Sequence, residues 1–141
     1  MLVYIFHRIL IDSGWIAKNM KSDNSVIIEE FELILRSLDR IREGFRIEKE
    51  AALAAGSIEA LERLRERSKS VYVIKLKDNM RNATRLRNGI SPDLPGMEAA
   101  EDLAERCMEE AAGLNAHLVS APNRLIRVFL SGDAAGEGKS T

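Results

Sequence analysis

The chain has 141 residues, 45% apolar and 5% aromatic, a length and composition that suit one domain and exclude a wholly disordered chain. Its 21 basic and 22 acidic residues leave a net charge of −1, so the whole molecule presents no strong field to nucleic acid or membrane. One cysteine, Cys107, excludes an internal disulfide framework and a multi-cysteine zinc site, and fits a reducing, cytoplasmic compartment.

Residues 1–19 open with an apolar run, Met1 to Ile11, interrupted by His7 and Arg8. The run is too short to span a bilayer, and its charge lies in the middle rather than ahead of it as in a secretory signal. Met20 precedes a more ordinary polar start, so residues 1–19 read either as a short packed extension or as an over-called start. The domain is expected over residues 20–130.

From Val26 the pattern is helical. Ile27, Phe31, Ile34, Leu38, Ile41, Phe45, Glu48 and Ala52 follow at alternating steps of 4 and 3, a heptad seam with one polar member. Asn24 or Ser25 is placed to cap the start, Gly56 to end the helix in a left-handed turn, and Ser57 to cap the next. A helix over 26–55 would be about 45 Å long. Gly44 within it weakens it by ~1 kcal/mol relative to alanine.

The second helix is expected from Ile58 to about Asn88. Leu61, Leu64, Val71 and Ile74 supply an early apolar stripe, and Leu76, Met80, Ala83, Leu86 and Ile90 a later one. The stripe drifts at 71–76 (VYVIKL), a run that resembles a strand; its charged flanks carry no turn signals, so it is read as helix. Asn88-Gly89 and the loop Ser91-Pro-Asp-Leu-Pro-Gly96 follow.

The third helix carries Met97, Ala100, Ala104, Cys107, Ala111, Leu114, Leu118, Ala121, Leu125 and Val128 on one seam. Pro122 predicts a kink or short break near Ser120-Ala121. Residues 131–141, with three glycines, read as a flexible tail. The expected fold is therefore all-α: an antiparallel helical hairpin or bundle of three main long helices with coiled-coil-like packing.

Charge divides between neighbouring helices. Leu61 to Asn88 holds nine bases against three acids, and Met97 to Gly113 six acids against one base. The expectation is that these two flanks face and pair with each other, which sets orientation more than stability.

No constellation for catalysis emerges. His7 and His117 are far apart, and Glu109, Glu110 and His117 lack the Glu-x-x-His spacing of bundle metal sites, so no metal or cofactor is expected. Cys107 sits among acids on a seam and reads as packing rather than nucleophile. His117 is followed by Leu118-Val-Ser-Ala121, without the lysine and glycine that usually follow a phospho-accepting histidine. Gly136-Glu-Gly-Lys-Ser-Thr141 imitates a phosphate-binding loop, but Asp133 stands where the first glycine belongs. The basic helix is offset by its acidic neighbour, against a nucleic-acid role.

What remains is the second half of the third helix. Leu114, Leu118, Leu125, Ile126, Val128, Phe129 and Leu130 crowd more than one face, and a helix apolar on several faces needs burial on several sides, by the core or by a partner.

The chain resembles the FlgN-type flagellar export chaperones over about residues 26–130. The likeness rests on Glu48-Lys-Glu-Ala-Ala-Leu53, Ala55-Gly56-Ser-Ile-Glu-Ala-Leu61 and Lys69, then on Leu114-Asn115-Ala-His-Leu118 and Asn123-Arg-Leu-Ile126. The resemblance implies a cytoplasmic chaperone for hook–filament junction proteins before their type III secretion, binding its client through the C-terminal helical region. Client contact then falls on Leu114, Leu118, Leu125, Ile126 and Phe129. Two other readings stand beside it: a helical adaptor that self-associates, for example as a homodimer, and a small helical nucleic-acid-binding protein.

Overall fold

The computed structural model describes residues 23–132. The expected extension 1–19, the phosphate-loop-like ending and nearly all of the expected tail lie outside these residues. Helix α1 spans Ser25–Ala55. Helix α2, Ile58–Arg67, passes through a π-helical turn, Ser68–Tyr72, into α3, Val73–Asn88. Helix α4 spans Met97–Ser131. The fold is all-α, and the described residues form three long helical rods with the middle one in two parts.

Direction follows from the contacts between rods. Arg67 meets Glu48, while Gly89 lies beside Ile27, so the middle rod runs antiparallel to α1. Ser68 meets Leu118 and Arg65 reaches Asn123, so α4 runs antiparallel to the middle rod and parallel to α1. The core between them takes Phe31, Leu38 and Phe45 from α1, Leu64 and Leu76 from the middle rod, and Cys107, Leu114 and Leu118 from α4. The heptad positions of α1 and α4 therefore point inward as their spacing predicts, except Val128 at the end of α4, which is exposed.

Gly56 closes α1 with φ 65°, and its amide donates to the carbonyls of Ala52 and Leu53. Only a residue without Cβ adopts this left-handed turn at no steric cost. Ser57 then accepts from the Ala60 amide and caps α2.

The start of α1 departs from the expected cap. Asp23, not Asn24 or Ser25, accepts the Ser25 amide at 3.0 Å. Asn24 is 2% exposed and turns to the α3–α4 loop. Its amide nitrogen lies 3.1, 3.4 and 3.0 Å from the carbonyls of Ser91, Leu94 and Pro95, and its oxygen accepts from the Ser91 amide at 2.9 Å. One buried side chain thus clasps the loop to the first turn of the bundle.

The drift at 71–76 has a physical cause. The buried or half-buried line of the middle rod is Leu64, Ser68, Tyr72, Leu76 and Met80, four successive steps of four. Each such step overshoots an α-helical turn by about 40°. The wider π-turn absorbs the overshoot and keeps the line on the core. Ile74, expected on the core stripe, faces solvent instead, and Tyr72 and Ser68 take the inward places.

Two further expectations change. Pro122 neither breaks nor ends α4, which runs through it to Ser131. The basic flank of the middle rod does not pair with the acidic half of α4: among the described residues no ion pair within 4.0 Å joins them. The pairs between rods are Arg42–Glu110 and Arg67–Glu48, both anchored on α1.

Candidate functional site

Pro122 brings no amide to the helix, so the Leu118 carbonyl, four residues earlier, loses its intrahelical donor. The Ser68 hydroxyl supplies the missing bond, donating to Leu118 O at 2.6 Å from the opposite rod. Ser68 is 1% exposed, and Pro122 is also fully buried. The irregular turn of the middle rod and the irregular turn of α4 thus meet at one level and satisfy each other. No buried side-chain polar atom among the described residues is left without a partner.

One turn away sits a polar cluster around Glu48, the single polar member of the α1 seam. Arg67 grips both its oxygens, Nε and Nη2 each at 2.8 Å, and the Tyr72 hydroxyl donates a short hydrogen bond to Oε2. The Arg67 guanidinium lies 5.8 Å from the Tyr72 ring centroid, within cation–π range. Its hydrogen bonds, with Tyr72 assisting, hold the Glu48 carboxyl below its usual range, while burial and then the hydrogen bond to Glu48 push the Tyr72 phenol up. The Tyr72 ring passes over Gly44, where a Cβ would lie 3.2 Å from the ring and the hydroxyl. That contact explains a glycine in mid-helix.

The sequence-predicted contact residues separate into two sets. Leu114, Leu118 and Ile126 are buried in the core, and Leu125 is half-buried against it. Phe129 is 41% exposed. Beside it the structure exposes Val128 and Leu130, with Val119 further back on the same helix. Apart from Val119, the exposed large apolar residues of α4 thus gather in its last turn, closed by Gly132 in a left-handed cap at φ 73°.

Cys107 is buried, donates weakly to the Phe31 carbonyl at 3.6 Å, and has its thiol pushed up to about 11 by burial and then by Glu110. A thiol so held is protonated at neutral pH and poorly nucleophilic. His117 stands edge-on to Phe45, centroids 5.4 Å apart. Burial, followed by the charges of Lys49, Arg124 and Arg42, lowers its pKa, favouring the neutral ring.

Between α3 and α4 runs an open groove of about 660 Å³, with Met80, Thr84 and Asn115 along it and Lys77, Arg81 and Arg85 on its α3 side. Among the described residues there is no group of three or more His, Cys, Asp or Glu placed to hold a metal ion. Nor is any described helix long and apolar enough to cross a membrane. The chain matches no protein-family model, no curated protein and no solved structure.

Proposed function

We propose that the protein is a helix-binding chaperone of the FlgN type, which holds the amphipathic terminal segment of a flagellar hook–filament junction protein in the cytoplasm before export. The observation that carries this reading is the last turn of α4. Val128, Phe129 and Leu130 are consecutive and all exposed, at 39%, 41% and 69%. Consecutive helical residues point about 100° apart, so the end of α4 offers apolar surface on several sides at once. A client helix laid against this end would cover it, as amphipathic helices do in apolar grooves. The family resemblance supplies the occupant.

Titration of the full chain with a labelled peptide from a junction-protein C-terminus tests the reading by fluorescence anisotropy. Phe129→Asp with Leu130→Asp is expected to weaken binding at least about tenfold, the scale of two lost apolar contacts. Both side chains are exposed, so helicity by circular dichroism should be unchanged. A wild-type protein that binds no such peptide, or a variant that binds like wild type, overturns the proposal.

A further inference from the structure

Lys77, Arg81 and Arg85 follow one another at steps of four on α3, and Glu101, Glu105 and Glu109 do the same on α4. All six are exposed. The antiparallel register that sets Ser68 against Leu118 puts Lys77 level with Glu109, Arg81 with Glu105, and Arg85 with Glu101. The bundle face beside the α3–α4 loop therefore carries two rows of opposite sign, matched level by level at about 6 Å per step, each slanting around its helix by about 40° per step. Among the described residues the rungs are not closed. Arg81 bonds Asp78 on its own helix, Arg85 bonds the Asn82 side chain, and none of the three acids has an ion partner within 4.0 Å among those residues. The α3 stripe borders the open groove holding Met80, Thr84 and Asn115.

Geometry decides what such a face fits. When a second copy is turned over onto it about a twofold axis parallel to the helices, left and right exchange while the level along the bundle is kept. Every basic rung then meets the acidic rung of the same level in the other copy. A twofold axis across the helices would instead set like charge on like charge. An isologous contact uses the same patch on both partners, and this patch is self-complementary in one orientation only.

We propose that the α3–α4 face is the contact of a parallel, charge-registered homodimer, in which Lys77, Arg81 and Arg85 of each copy meet Glu109, Glu105 and Glu101 of the other. A nucleic-acid strand fits the face poorly: the acidic stripe would repel it, and the groove holds no aromatic ring on which bases could stack. The dimer does not rest on the chaperone reading, since this face lies towards the α3–α4 loop and the Phe129 turn towards the α1–α2 hairpin.

Light scattering on the full-length protein at about 0.1 mM tests the proposal. In about 50 mM salt the mass should approach twice that of the chain, and in about 500 mM salt it should fall to the monomer, since exposed pairs are screened. Arg81→Glu with Arg85→Glu, and separately Glu101→Lys with Glu105→Lys, should each give monomers of unchanged helicity. Mixing the two variants should restore the double mass, because each altered stripe of one then meets opposite charge on the other, while Lys77 and Glu109 still pair. A wild type monomeric in low salt overturns the proposal. So does a dimer that persists in high salt and in both variants, or a variant mixture that stays monomeric.

Discussion

Ser68 and Pro122 belong to different rods, yet one hydrogen bond makes them a single feature. Removing the Ser68 hydroxyl leaves the buried Leu118 carbonyl without a donor, because Pro122 has none to give. Ser68→Ala should therefore cost about 1–3 kcal/mol in urea unfolding, more than a lone serine hydroxyl contributes when its partner has other options. Pro122→Ala returns an amide to α4, so Ser68→Ala in that background should cost well under about 1 kcal/mol. Equal costs in both backgrounds would show that the two side chains are energetically independent. His117 gives a pH signature at the same scale. Its folded pKa is lowered from 6.5, so the unfolded chain binds its proton first as pH falls. The stabilising effect of the neutral ring is complete above the unfolded value and lost as pH drops through the folded one. Thermal midpoints should thus fall on acidification below about pH 6.5, and more shallowly for His117→Gln than for wild type. A matching slope in the variant would mean that other groups carry the dependence.

At the scale of elements, each departure from the regular pattern is matched by a residue on another rod. Gly44 accommodates the Tyr72 ring, Glu48 receives Arg67 and Tyr72, and Asn24 receives the α3–α4 loop. Gly44→Ala gains about 1 kcal/mol of helix propensity but sets a Cβ 3.2 Å from a ring that its hydroxyl bond to Glu48 keeps in place. It should destabilise the wild type and stabilise a Tyr72→Leu background, a change of sign that denaturant unfolding reads directly. Asn24→Asp should be worse than Asn24→Ala. A carboxylate would face the carbonyl oxygens of Ser91, Leu94 and Pro95 with no proton to give them, whereas alanine leaves the site merely unbonded. The seams of α1 and α4 were legible from sequence because alternating threes and fours suit an α-helix. The middle rod was legible as a helix with most of its stripe, but the inward places of Ser68 and Tyr72 were not, because successive fours fit an α-helix only when a turn is widened, and Ser68 carries no apolar signal of its burial. Asn24 was equally hidden: an asparagine before a helix reads as a cap, and only the returning loop reveals its other partners.

Among the described residues, the charged α3–α4 face and the exposed last turn of α4 lie towards opposite ends of the bundle. Opposite signs on successive helices suggested internal pairing, which the ion pairs do not bear out; Arg42–Glu110 and Arg67–Glu48 both run to α1. Of the five residues assigned to client contact, Phe129 is the most open, since burial of Leu114, Leu118 and Ile126 depends on how three rods close, which spacing alone does not reveal. The separation makes the two proposed contacts distinguishable by salt. A contact through Phe129 and Leu130 relies on apolar area, which salt does not screen, whereas the Lys77–Arg81–Arg85 stripe acts through exposed charge. Raising salt from about 50 to about 500 mM should dissolve the homodimer while changing client-peptide affinity less than about threefold. Arg81→Glu with Arg85→Glu should likewise abolish the dimer and leave peptide binding intact, and Phe129→Asp with Leu130→Asp should do the reverse. If either pair of substitutions removes both contacts, the two ends act as one surface, and the separate roles assigned to them are wrong.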